Sequence, residues 1–174
     1  MRLLGAVLAG GRSSRFGRDK AAALFEGKPL LDHVIAGLAA QTDAVVVCGR
    51  EVADFTCLAD RPAPDLGPLG GLSAALAYAE ANGFDAVLTS ACDTPFIPAD
   101  LAERLSGPAP AIVEGQQLFG FWPAGLSAEL DRFLARPENR AVGQWAAFAE
   151  ARRIRYPAEI PNINTAADLE ALHR

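Results

Sequence analysis

The sequence is poor in the residues that usually announce a metal or redox centre. Three cysteines and two histidines are spread over 174 residues. Cys48, Cys57 and Cys92 are odd in number, without CxxC spacing or a Cys/His cluster, which argues against structural zinc and leaves burial as small apolar side chains as the expectation. His33 falls inside a predicted helix and His173 near the C-terminal end, so neither is placed as a general base. No apolar run reaches the length of a transmembrane helix. The apolar stretch Met1–Gly11 is short and leads into a basic loop, so it reads as a first buried strand of a cytoplasmic protein and not as a signal peptide.

Positive charge is scarce overall. A formal net charge of −5 argues against a nucleic-acid surface. Within residues 12–28, however, Arg12, Arg15, Arg18, Lys20 and Lys28 are set against only Asp19 and Glu26. A basic patch on an acidic chain suits a small anionic ligand better than a duplex.

What is present is an alternation of buried strands and amphipathic helices. Strands are expected at Leu3–Ala9, Ala44–Cys48, Ala86–Ala91 and, more weakly, Phe55–Ala59. Helices are expected at Pro29–Ala40, with Pro29 in the first turn, at Pro68–Asn82 and at Pro98–Leu105. Ile112–Glu114 and Gln117–Trp122 read as a strand pair. Leu126–Ala135 and Val142–Ala151 read as helices, Arg153–Tyr156 as a strand and Ala166–His173 as a last helix. This order predicts one α/β domain over 1–174, with a mostly parallel sheet and its ligand crevice beyond the carboxyl ends of the strands. That rim would carry Gly10–Lys20, Asp60–Gly71 and Cys92–Pro98. No coiled-coil seam is visible, so a monomer or weak self-associator is expected.

Each rim segment has a chemical and a plain reading. Glycines at a strand end let backbone N–H groups approach phosphate, and Arg15 and Lys20 would neutralise it; the plain reading is an exposed charged turn. Neither GxxxxGK[ST] nor GxGxxG is present, so the loop is of neither common kind. Asp93, between a strand and a proline-stiffened turn, could hold Mg²⁺ together with substrate phosphates, or bond the turn backbone. Gly70 and Gly71 weaken the first turn of a helix by about 1 kcal/mol each relative to alanine, which makes sense if something packs against that backbone. Trp122 and Trp145 are read as core.

Taken together, Leu8-Ala9-Gly10-Gly11 with Arg15, Phe16, Gly17, Asp19 and Lys20 resembles the molybdenum cofactor guanylyltransferases of MobA type. The resemblance continues through Gly27-Lys28-Pro29-Leu30, Gly67-Pro68-Leu69-Gly70-Gly71, Cys92-Asp93-Thr94-Pro95-Phe96-Ile97-Pro98 and Asn162-Ile163-Asn164-Thr165. It implies a Rossmann-like three-layer α/β/α fold and transfer of GMP from Mg-GTP to molybdenum-molybdopterin with release of pyrophosphate. It further implies GTP contacts from Leu8, Ala9, Gly10, Gly11, Lys20, Asp60 and Asp93, and Mg²⁺ on Asp93. Arg15, Lys20 and Asp93 would be the catalytic groups, and Asn162 and Asn164 the pterin-side pair. Residues up to about 106 would bind nucleotide, and 107–174 would form the acceptor side. Transient contact with a molybdenum-inserting enzyme is also implied. Cys48 stands where an asparagine contacting the nucleotide is expected, residues 116–155 match poorly, and Asp65 competes with Asp60. A cytidylyltransferase on the same pterin, a sugar-phosphate nucleotidyltransferase and a non-catalytic nucleotide sensor remain as alternatives. A phosphate monoester acceptor is largely dianionic at neutral pH, so its attack on the α-phosphorus needs no general base.

Overall fold

The structure, a computed structural model, describes residues 1–10 and 19–174, with Lys20 by its backbone alone. β1 (Leu3–Leu8) is buried along its whole length and is an interior strand of a seven-stranded sheet. Around it are β4 (Ala44–Cys48), β5 (Thr56–Leu58), β6 (Ala86–Ala91), β7 (Ala111–Val113), β8 (Gln116–Pro123) and β9 (Arg152–Ile154). Their spatial order is β5-β4-β1-β6-β8-β7-β9. Parallel pairings join β5, β4, β1 and β6, and also β7 with β9; β8 runs antiparallel to both its neighbours.

The two-residue period of β1 sends its side chains into two cores, as a sheet covered on both faces requires. Leu4, Ala6 and Leu8 meet Leu69, Leu72 and Leu76 of α2 (Pro68–Ala81), together with α4 (Ser127–Leu134) and α5 (Val142–Phe148). Leu3, Val7 and Ala9 meet α1 (Leu30–Ala39) and α3 (Leu101–Leu105) on the opposite face. Trp122 and Trp145 are both buried in the first of these cores. The layering is therefore helices, sheet, helices. No helix among the described residues is long and apolar enough to cross a membrane.

A feature absent from the sequence reading is a small hairpin of β2 (Leu24–Phe25) and β3 (Lys28–Pro29), turned by Glu26 and Gly27. Both turn residues have positive φ, the requirement of a tight hairpin turn. Pro29 consequently ends a strand and stands before α1, outside its first turn, because its extended ψ of 144° belongs to the hairpin. Phe25 and Leu30 form a separate small core with Ile163 and with Leu169 of α6 (Ala166–Ala171). α3 begins at Leu101, three residues beyond the expected Pro98.

Candidate functional site

The carboxyl ends of β1, β4, β5 and β6 converge on one rim. Gly10 and Gly49 cross there backbone to backbone: a Cβ on Gly49 would lie 2.5 Å from the Cα of Gly10, and Gly49 has φ of +89°. Only glycine permits this approach. The crossing forms the floor of a cavity of about 510 Å³, lined also by Arg50, Asp60, Asp65 and Gly67.

Asp60 is built into this cavity by α2. Its carboxylate accepts a hydrogen bond from the Leu66 N–H, and the Arg61 N–H donates to the Gly70 carbonyl at 3.1 Å, closing the loop back onto the helix. A Cβ on Gly70 would lie 2.8 Å from Asp60 Oδ2, and one on Gly71 would lie 3.1 Å from both the Cβ of Cys48 and the Cδ2 of Leu8. The two glycines therefore have different reasons: Gly70 makes room for a carboxylate, and Gly71 seats the helix on the sheet. Burial pushes the Asp60 carboxyl above the usual carboxylate range; the Leu66 N–H opposes this and the charge of Asp65 adds to it.

A second cavity, of about 540 Å³, opens on the other side of the α2 N-terminus; Gly67 lines the first and Pro68 the second. Its walls include Asp93, Thr94, Gln117, Arg140 and Asn162. The turn carrying Asp93 is held by buried Thr94, whose hydroxyl donates to the Ala91 carbonyl at 3.1 Å. The Ile163 N–H donates to the Asp93 carbonyl at 2.9 Å, fastening the Asn162–Asn164 segment directly to that turn. Arg140 is positioned by donating from Nη1 to the carbonyls of Leu134, Arg136 and Asn139.

Among the described residues no group of three or more potential metal-binding side chains is assembled. Asp93 is a hard oxygen donor at the rim of a cavity spacious enough for phosphates. That donor set fits Mg²⁺, which is commonly held by one or two carboxylates plus substrate phosphates.

The expected site residues distribute as follows. Gly10 and Asp60 share the first cavity, and Asp93 and Asn162 the second. Leu8 and Ala9 have buried side chains, so they can present only backbone; the Ala9 N–H is already donated to the Cys48 carbonyl at 2.9 Å. Asn164 does not line the second cavity: its N–H donates to Asp168 Oδ2 at 2.8 Å, within the cap of α6. Gly11, Arg15 and the side chain of Lys20 lie outside the described residues. Asp65 stands in the same cavity as Asp60 at a more exposed position.

Cys48 is 1% exposed and packs beneath Gly71, with its thiol pushed up to about 12 by burial and, secondarily, by Asp60 and Cys57. It is a core residue and contributes no contact within either cavity. Two residues not anticipated from sequence are Arg50 and Arg140. Arg50 followed a strand-end glycine, which was a usable signal. Arg140 lies in the poorly matching segment between α4 and α5 and offered none.

This sheet order, with its ligand rim at the strand ends, is the architecture of a Rossmann-like nucleotidyltransferase domain. The same fold is seen in molybdopterin-guanine dinucleotide biosynthesis protein A from Archaeoglobus fulgidus, with a TM-score of 0.72 at 20% identity over 97% of this chain and 95% of that one. It is seen also in 2-C-methyl-D-erythritol 4-phosphate cytidylyltransferase from Thermus thermophilus, with a TM-score of 0.70 at 16% identity over 99% and 98%. The family described as MobA-like NTP transferase domain matches residues 5–152. The chain is 36% identical to the molybdenum cofactor guanylyltransferase of Rhizobium leguminosarum bv. trifolii, covering 99% of this chain and 92% of that protein. The chain belongs to the MobA-like family of molybdenum cofactor guanylyltransferases.

Proposed function

We propose that the protein transfers GMP from GTP to the terminal phosphate of molybdenum-molybdopterin, forming the guanine dinucleotide cofactor and pyrophosphate. The observation that carries this reading is the pair of cavities that both border the N-terminus of α2, one lined by Gly10 and Asp60 with Gly67, the other by Asp93 and Asn162 with Pro68. A transfer between two large anions needs two adjoining compartments with the reacting phosphorus between them.

Both reactants are strongly negative, so the protein's main tasks are in-line positioning and charge neutralisation. The positive end of the α2 dipole faces the junction and favours phosphate there. Mg²⁺ held by Asp93 would offset charge on the transferring and leaving phosphates. Lys20 and Arg15 are assigned to the triphosphate, and Arg140 to the acceptor phosphate. The acceptor is its own nucleophile, and among the described residues lining either cavity there is no histidine.

The test is pyrophosphate release and dinucleotide formation from Mg-GTP or Mg-CTP, with and without molybdenum-molybdopterin. Product with GTP and pterin together is the expected result. Product only with CTP would overturn the base assignment. Pyrophosphate release that does not depend on the pterin would overturn the acceptor.

A further inference from the structure

We propose that Arg50 is the residue that selects guanine, an inference that rests on the guanylyl transfer proposed above. The reacting phosphorus belongs between the two cavities, at the N-terminus of α2 and beside Asp93. The acceptor takes the cavity of about 540 Å³ that holds Asp93, Arg140 and Asn162, so the nucleoside extends the other way, into the cavity of about 510 Å³.

Among the described residues lining that nucleoside cavity, Arg50 is the one cation, and Asp60, Asp65 and Glu51 line the same cavity. One cavity thus offers both a donor fork and carboxylate acceptors. Guanine carries O6 and N7 as adjacent acceptors on one edge, the pair that an arginine fork reads in two parallel bonds. Its neighbouring N1–H and N2 amino groups are donors suited to a carboxylate. Cytosine and adenine place an exocyclic amino group where guanine has O6, and that group would point donor against donor at Arg50.

Arg50 is also held in place. It directly follows Gly49, whose backbone is wedged against Gly10. Its Nη2 donates to Oδ2 of Asp19, and the side chain is only 28% exposed. Asp19 thus grips one corner of the guanidinium from outside the cavity. Cys48, the position at which base contact is expected from the family resemblance, is buried under Gly71 and cannot perform this role.

The test measures binding alone, by titration calorimetry with Mg²⁺ and four nucleotides: GTP, CTP, 6-thio-GTP, which keeps N1–H and the N2 amino group but has sulfur, a poor acceptor, in place of O6, and 7-deaza-GTP, which lacks N7. The wild-type protein is expected to bind GTP at least about tenfold more tightly than CTP or the O6-lacking analogue, with a smaller penalty for 7-deaza-GTP. Arg50→Lys keeps the charge and a donor for Asp19 but loses the fork. It should weaken GTP binding and bring both analogues to within about threefold of GTP. Arg50→Gln provides a second variant with the same expectation. Undiminished penalties in either folded variant, or their absence from the wild type while GTP still binds, would overturn the role of Arg50 and leave the proposed transfer standing. Failure of the wild-type protein to bind any of the four nucleotides would remove both.

Discussion

Gly70 stands so close to Asp60 that a single added methyl group would lie 2.8 Å from Oδ2, 2.9 Å from Cγ and 3.0 Å from Cβ of that aspartate. The clash involves the whole carboxyl group, so it cannot be relieved by rotating the far end of a flexible side chain. Gly70→Ala should therefore forfeit the stabilisation of about 1 kcal/mol that alanine normally brings to a helix, because Asp60 must move. GTP affinity should fall about tenfold or more, the scale of losing a hydrogen bond to a charged group. Gly71→Ala, directed at Cys48 and Leu8, should instead cost about 1–3 kcal/mol of stability with less effect on affinity. Thermal melts and calorimetry on the two variants separate these outcomes; equal effects on affinity would contradict the assignment.

Asp60 also makes a pH-dependent contribution to stability. Its folded-state carboxyl titrates above the usual value, chiefly through burial. Between the ordinary aspartate pKa of about 3.9 and the raised folded value, the folded protein binds more protons than the unfolded chain. This group therefore costs stability as pH rises through that window, and the cost is constant above it. Asp60→Asn removes the charge while keeping an acceptor for the Leu66 N–H. The variant should melt higher than wild type at neutral pH and converge with it below about pH 4, while binding GTP more weakly. A variant less stable than wild type at pH 7 would count against the burial argument.

Asp93→Ala should retain the fold, since the Thr94 hydroxyl bond and the Ile163–Asp93 backbone bond remain in the variant. Turnover should fall at least about a hundredfold, the scale of losing one electrostatic stabiliser. Near-normal turnover in the folded variant would refute the assignment of Mg²⁺ to this residue.

Arg140→Ala should raise KM for the pterin acceptor about tenfold or more while leaving the Kd for GTP unchanged, because Arg140 lines the second cavity and not the first. A matching loss of GTP affinity would place the nucleotide in the wrong compartment.

Cys48 should be inert to thiol reagents in the native protein at neutral pH, because burial holds its thiol at about 12. Cys48→Asn should destabilise the fold by burying an amide against Gly71, without restoring a base contact. Rapid labelling of Cys48 in the native state would show that α2 does not seat as described.

The strand and helix order was legible because the burial period is written in the residues: Leu3, Val7 and Ala9 face one core, and Leu4, Ala6 and Leu8 the other. The glycine pair in α2 was legible as a sign of close packing, but not as two different contacts. The hairpin at Leu24–Pro29 was missed because two-residue strands carry no period, and its turn uses Glu26 at positive φ, which few side chains signal. Asn162 and Asn164 looked equivalent in sequence; the α6 cap draws the Asn164 backbone to Asp168, while Asn162 lines the cavity.

Local pattern alone determined the α/β architecture with its mostly parallel sheet and placed Asp93 just beyond a strand end, since periodicity and turn residues act over a few neighbours. Only the tertiary structure decided that Cys48 is core, that Arg50 and not Cys48 lines the cavity with Gly10 and Asp60, and that Arg140 joins Asp93 and Asn162. Those relations depend on which residues distant in sequence are brought together when α2 seats on the sheet and the 162–164 segment bonds to the Asp93 turn. Long-range packing of that kind leaves no period in the chain.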